Sequence, residues 1–188
     1  MKRPFLILSI LILSIVSARI VNAQNQTVEK SVTGIQVGFL GANIYNEARL
    51  ANAFAIRSQF ALFPGFFGGD AYPHTGLVLF PELSLQPKYY YNLKKRADEG
   101  KVTTNNSANF ISLDFKYLPD WFSVFNKDAI PVGNSFGIIP TWGLRRNFSE
   151  HFNYEFNVGL GYAAYLNSDN SNTSGIMFNL GFKIGYDF

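Results

Sequence analysis

Apolar and polar positions alternate most clearly at the C-terminus, where Ile176, Phe178, Leu180, Phe182, Ile184, Tyr186 and Phe188 interleave with Met177, Asn179, Gly181, Lys183, Gly185 and Asp187. Successive strand residues point to opposite faces, so this period of two predicts one long strand with an apolar and a mixed polar face. The preceding segment repeats it, with Phe152, Tyr154, Phe156, Val158, Leu160 and Tyr162 against Asn153, Glu155, Asn157, Gly159 and Gly161. Further alternating runs cover 135–145, 111–117, 82–92 and 54–62, and a less regular one starts at Ile35, Val37 and Phe39 and continues towards Tyr45. No mature segment sustains a helical period, and clusters of Gly, Asn, Asp, Ser and Pro separate the runs. Pro81, Pro87 and Pro140 fall inside predicted strands and lead us to expect bulges there.

Such alternation fits either a soluble barrel or sandwich with the apolar face inside, or a membrane barrel with that face turned out to lipid. Phe and Tyr recur on the apolar face too often to fit within a small lumen. The other face mixes glycines with Arg57, Glu82, Lys88, Asp114, Lys116, Arg145, Glu155, Lys183 and Asp187. Small residues beside opposite charges suit a narrow polar interior, where each ion must find a partner. The expected fold is therefore all-β, an antiparallel up-and-down transmembrane β-barrel of eight strands. Seven strands are clear; the eighth follows from parity and is sought within residues 24–50.

The first two dozen residues read differently. Lys2 and Arg3 precede an apolar run from Phe5 to Val16 and a small-residue site, Val21-Asn22-Ala23, before Gln24. That is the pattern of a secretory signal peptide, and the run is shorter than a spanning helix requires. The expected organisation is residues 1–23 as signal peptide and 24–188 as one barrel domain. Lys2, Arg3 and Arg19 leave with the signal, reducing 16 basic residues to 13 against 13 acidic ones. A neutral mature chain argues against nucleic-acid binding, and the basic run Lys94-Lys95-Arg96 is followed at once by Asp98 and Glu99. With no cysteine, disulfides, thiolate metal sites and a lipoprotein anchor are all ruled out.

Candidate chemistry is sparse. His74 lies near Asp70 and Thr75, and His151 lies in a short turn beside Ser149 and Glu150. A serine, a histidine and a glutamate in one turn usually make local hydrogen bonds, so we expect no catalytic, metal or cofactor site. Tyr89, Tyr90, Tyr91, Trp121, Trp142, Tyr162 and Tyr165 are read as aromatic girdles at membrane interfaces. Phe148 to His151 is the short connection expected on the periplasmic side, together with an atypically long link over 93–107. Gly68–Gly76, Ser123–Asn134 and Asn167–Ser174 become outer loops.

The alternating last strand ending in Phe188 resembles the C-terminal assembly signal of outer-membrane barrels, with Phe178, Phe182, Ile184, Tyr186 and Phe188 at the matching positions. The mature chain also resembles, in size and pattern, the small OmpX/OmpA-like eight-stranded barrels. These resemblances imply the outer membrane of a Gram-negative-type bacterium, with its lipid and the barrel assembly machinery as partners; a monomer is the default expectation. Such families span structural, adhesive and enzymatic members, so function is not specified. The expectation is a non-enzymatic structural or surface-interaction role with no cofactor and no identified extracellular ligand; the rivals are a narrow passive channel and a lipid-modifying enzyme.

Overall fold

The computed structural model describes residues 26–39, 41–69, 75–124, 134–166 and 174–188. Its strands are β1 (Ser31–Gly38), β2 (Gly41–Ala51), β3 (Phe54–Phe67), β4 (Gly76–Tyr89), β5 (Asn109–Leu118), β6 (Ser135–Asn147), β7 (Phe152–Tyr165) and β8 (Ser174–Asp187). Each pairs antiparallel with the next, and β1 pairs with β8 from Gly34↔Asp187 to Gly38↔Lys183, closing an eight-stranded ring. A six-residue helix, α1 (Leu93–Asp98), and a 3-10 turn at Thr104–Asn106 interrupt the β4–β5 connection.

The segment towards Tyr45, which reads as one irregular strand, is two. Gly38 and Gly41 are paired across a tight reversal, and Gly41 has φ +93. A Cβ at Gly41 would lie 1.9 Å from the carbonyl oxygen of Leu62, so only glycine fits. The reversal also flips the phase. Ile35 and Val37 face outward in β1, whereas Ile44 faces outward and Tyr45 inward in β2.

The prolines do not create the expected bulges. β4 and β5 pair at Leu85↔Phe115 and resume in the same register at Lys88↔Ser112. β6 and β7 likewise pair at Ile138↔Tyr162 and again at Thr141↔Gly159, while Pro81 pairs in step with Leu62. A proline removes one donor towards one neighbour, and the flanking ladder holds the register. The register shift lies at the end of β2 instead, between Arg49 and Ala51.

The faces are divided by polarity. Outward positions of β8 are exposed and apolar, with Ile176 at 71% and Phe178 at 76%, and the other strands follow suit with Ile35, Val37, Ile111, Trp142, Val158 and Leu160. Inward positions are buried and mostly polar. The described apolar core is a small cluster at one end, formed by Val28, Ala55, Tyr90, Leu93, Ala108 and Phe110. At this end the segment before β1, residues 52–53, the β4–β5 connection, residues 148–151 and Phe188 come together. Leu93 and Ala108 hold the β4–β5 connection over the mouth of the ring, so residues 90–108 form a plug.

Candidate functional site

All nine interior charges read from the alternation lie inside the ring, and Glu47 joins them. Among the described residues the buried charges are Glu47, Glu82, Asp114, Glu155 and Asp187 against Arg57, Lys88, Lys116, Arg145 and Lys183. Five acids balance five bases, as burial in a low-dielectric interior demands. Glu47 was missed because the phase reversal between β1 and β2 obscured the inward face of β2. It is the acid that completes neutrality.

The charges form two layers. Nearer the plug, Arg57 donates through Nε to Glu47 Oε2 at 3.0 Å and through Nη1 and Nη2 to both oxygens of Glu155 at 3.1 and 2.9 Å. This fork is a bidentate geometry that a lysine could not reproduce. Lys88 lies 3.4 Å from Glu47 and 3.5 Å from Glu155. Arg145 donates to Asp187 at 2.7 Å, and Tyr45 donates to the same carboxylate. The guanidinium of Arg57 also stacks over the Tyr45 ring at 4.3 Å.

The plug completes this layer. Tyr90 Oη donates to Glu47 Oε1 at 2.6 Å and Asn106 Nδ2 to the same oxygen at 2.5 Å. Burial, and then the neighbouring Glu47 carboxylate, raise the Tyr90 phenol well above its ordinary pKa, which keeps it a donor. Tyr90 therefore belongs to the plug rather than to an outer girdle. Lys88 sits 3.7 Å from the centre of the Phe110 ring.

Nearer the other end, Lys116 pairs with Glu82 at 3.2 Å. Asp114 accepts from Ser112 Oγ, Thr141 Oγ1 and Asn179 Nδ2 at 2.6, 3.1 and 3.1 Å. Lys183 faces Glu155 across the β7–β8 ladder. Between these side chains, a cavity of about 20 Å³ has room for about one water.

The chain matches no family model and no curated protein. Function must therefore be argued from the geometry. His151 is held by a ring-nitrogen contact to the Asp187 carbonyl at 2.9 Å and stacks on Tyr186, while Ser149 Oγ accepts from the Phe152 amide at 3.0 Å. These are turn contacts. His74 and Asp70 lie outside the described residues, as do most of the three expected outer loops and residues 1–23. Among the described residues no cluster of His, Asp or Glu could hold a metal, and no helix is long and apolar enough to cross a membrane.

Of the C-terminal signature residues, Phe178, Phe182, Ile184 and Phe188 are exposed on the outer face, and Tyr186 is half-buried against His151 and Phe152. The Phe188 amide donates to Thr33 O at 2.9 Å, tying the chain end to β1.

Proposed function

We propose that this chain is a bacterial outer-membrane β-barrel, exported by a signal peptide over residues 1–23, with a closed interior and a structural or surface-interaction role. One observation carries the reading: the ring exposes its apolar face and buries its charged one. Ile176, Phe178, Leu180, Phe182 and Ile184 on β8 are all at least half exposed, and the outward face continues through Val158, Leu160 and Tyr162 on β7. A continuous belt of this kind greatly exceeds the patches that water-soluble monomers display. Lipid removes the penalty, because hydrocarbon solvates such side chains as well as a protein core does.

Strand length and closure favour the same assignment. Seven of the eight strands span 10 to 14 residues, enough to cross a bilayer at a tilt, and β1 with 8 residues is the short exception. Closure pairs the strand edges that lipid could not satisfy. The likeness to OmpX/OmpA-like barrels and to their C-terminal assembly signal points to the same membrane, with the assembly machinery as partner. Residues 90–108 plug one mouth and paired ions fill the interior, so this geometry favours a non-conducting barrel over a passive channel.

The test is fractionation of cells expressing the full chain, followed by electrophoresis of heated and unheated detergent extracts. Recovery with the outer membrane and a mobility that shifts on heating is the expected result. Recovery in the soluble periplasmic fraction would overturn the assignment.

A further inference from the structure

On the outer surface beside the plug, a groove of about 540 Å³ opens between Tyr91, Lys95, Arg96, Lys101 and Arg146, with Glu99 as its acid. Charge there is uncompensated. Glu99 is occupied by Lys101 at 2.7 Å and Lys95 at 3.9 Å. Arg96 donates to the carbonyls of Ser107 and Val102, and Arg146 to the Arg145 carbonyl and Asn109 Oδ1. These acceptors are neutral, and among the described residues neither guanidinium has a carboxylate within ion-pairing distance. Partial burial, and then the nearby Arg146, hold Arg96 below its ordinary pKa against the weaker opposing pull of Glu99, as expected where cations outnumber anions.

A second feature adjoins the groove. On the outer face, an apolar furrow of about 650 Å³ runs along Phe54, Pro87, Tyr89, Ile111, Leu113 and Trp142, where β4–β5 pairing lapses around Pro87. Trp142 Nε1 donates to Tyr91 Oη at 2.8 Å, and Asn109 Nδ2 donates to the same hydroxyl at 3.1 Å. Tyr91 therefore lines the groove and is tied to a wall of the furrow. Along β6, Trp142 lines the furrow and Arg146, two pleat repeats nearer the plug, lines the groove.

We propose that groove and furrow together bind one anionic glycerophospholipid, its phosphate between Arg96 and Arg146 and an acyl chain along the furrow. The inference rests on the membrane reading above, because only a barrel in lipid presents both features to one molecule. Arg–phosphate pairing supplies the headgroup contact, and amphipathic Tyr91 and Trp142 mark headgroup depth.

The test titrates full-length protein in detergent micelles with phosphatidylglycerol or phosphatidylcholine and counts retained lipid by native mass spectrometry. One phosphatidylglycerol should be retained in preference to phosphatidylcholine. Arg146→Gln and Lys95→Glu should each weaken retention by roughly fivefold or more, from about 1 kcal/mol per basic charge lost near an anionic headgroup. Lys95 is 77% exposed and has only a long contact to Glu99, so its variant keeps the test valid should Arg146→Gln perturb folding. Lys94→Gln, outside the groove, should change nothing. Equal retention of both lipids, or insensitivity to both groove variants, overturns the site, and so does full displacement by inorganic phosphate, which would make free phosphate the ligand. Heat-shifted mobility of the same samples separates the two readings: a folded barrel without lipid preference refutes this site alone, whereas recovery as a soluble protein without detergent refutes the membrane assignment and this site with it.

Discussion

Replacing Arg57 by Met should be among the most damaging single substitutions in this chain. Arg57 is fully buried and supplies three hydrogen bonds to Glu47 and Glu155. Without it, the layer near the plug holds Lys88 and Arg145 against Glu47, Glu155 and Asp187, leaving one buried negative charge uncompensated. Lys88 would have to serve both glutamates, and Arg145 Nη1 reaches Glu155 only at 3.8 Å. Breaking a buried pair by removing one partner costs about 3–5 kcal/mol, and Arg57→Met belongs in that range. Glu155→Gln leaves the opposite excess and should cost a similar amount. The double variant restores neutrality, with Lys88 and Arg145 against Glu47 and Asp187, and should lose about 1–3 kcal/mol less than the sum of the singles. The assay is urea unfolding of the refolded barrel in micelles, followed by tryptophan fluorescence and by heat-shifted mobility. Because Arg57 is sealed inside, the expectation does not depend on the solvent at the outer surface. Single losses below about 1 kcal/mol, or strict additivity in the double variant, would refute the view that paired interior ions hold the ring together.

Three further outcomes follow from particular contacts. Tyr90→Phe removes a donor to the buried Glu47 carboxylate; it should cost about 1.5–3 kcal/mol and speed amide exchange across the plug, whereas Tyr89→Phe on the exposed face should do neither. Gly161→Ala places a Cβ 2.1 Å from the Ile138 carbonyl oxygen, while Gly175→Ala meets nothing within 4 Å; the first should destabilise by about 1–3 kcal/mol and the second should leave the thermal midpoint unchanged. Deleting Phe188, which is 73% exposed and bonded to Thr33 through its amide, should lower outer-membrane recovery in cells while protein refolded in micelles keeps its stability; equal loss in both would make the residue's role purely structural.

The faces of the barrel were legible in the sequence because side-chain direction in a strand is a local property with a period of two. Arg57, Lys88 and Lys183 could be placed inside, and Phe178, Phe182 and Ile184 outside, without knowing what any of them touches. Where the period was broken, local reading failed. The reversal between Gly38 and Gly41 shifts the phase within a few residues, hiding a strand, turning Tyr45 inward and concealing Glu47. Residues 93–108 carry no strand period; they are held by contacts with Val28, Phe110 and Glu47 that local reading does not reveal. Which ion meets which was decided only by ring closure. Arg57 and Glu155 are 98 residues apart and Arg145 and Asp187 are 42 apart, and only the packed register brings them within hydrogen-bonding distance. Periodicity dictates the side to which a residue points; its partner depends on the fold of the whole chain.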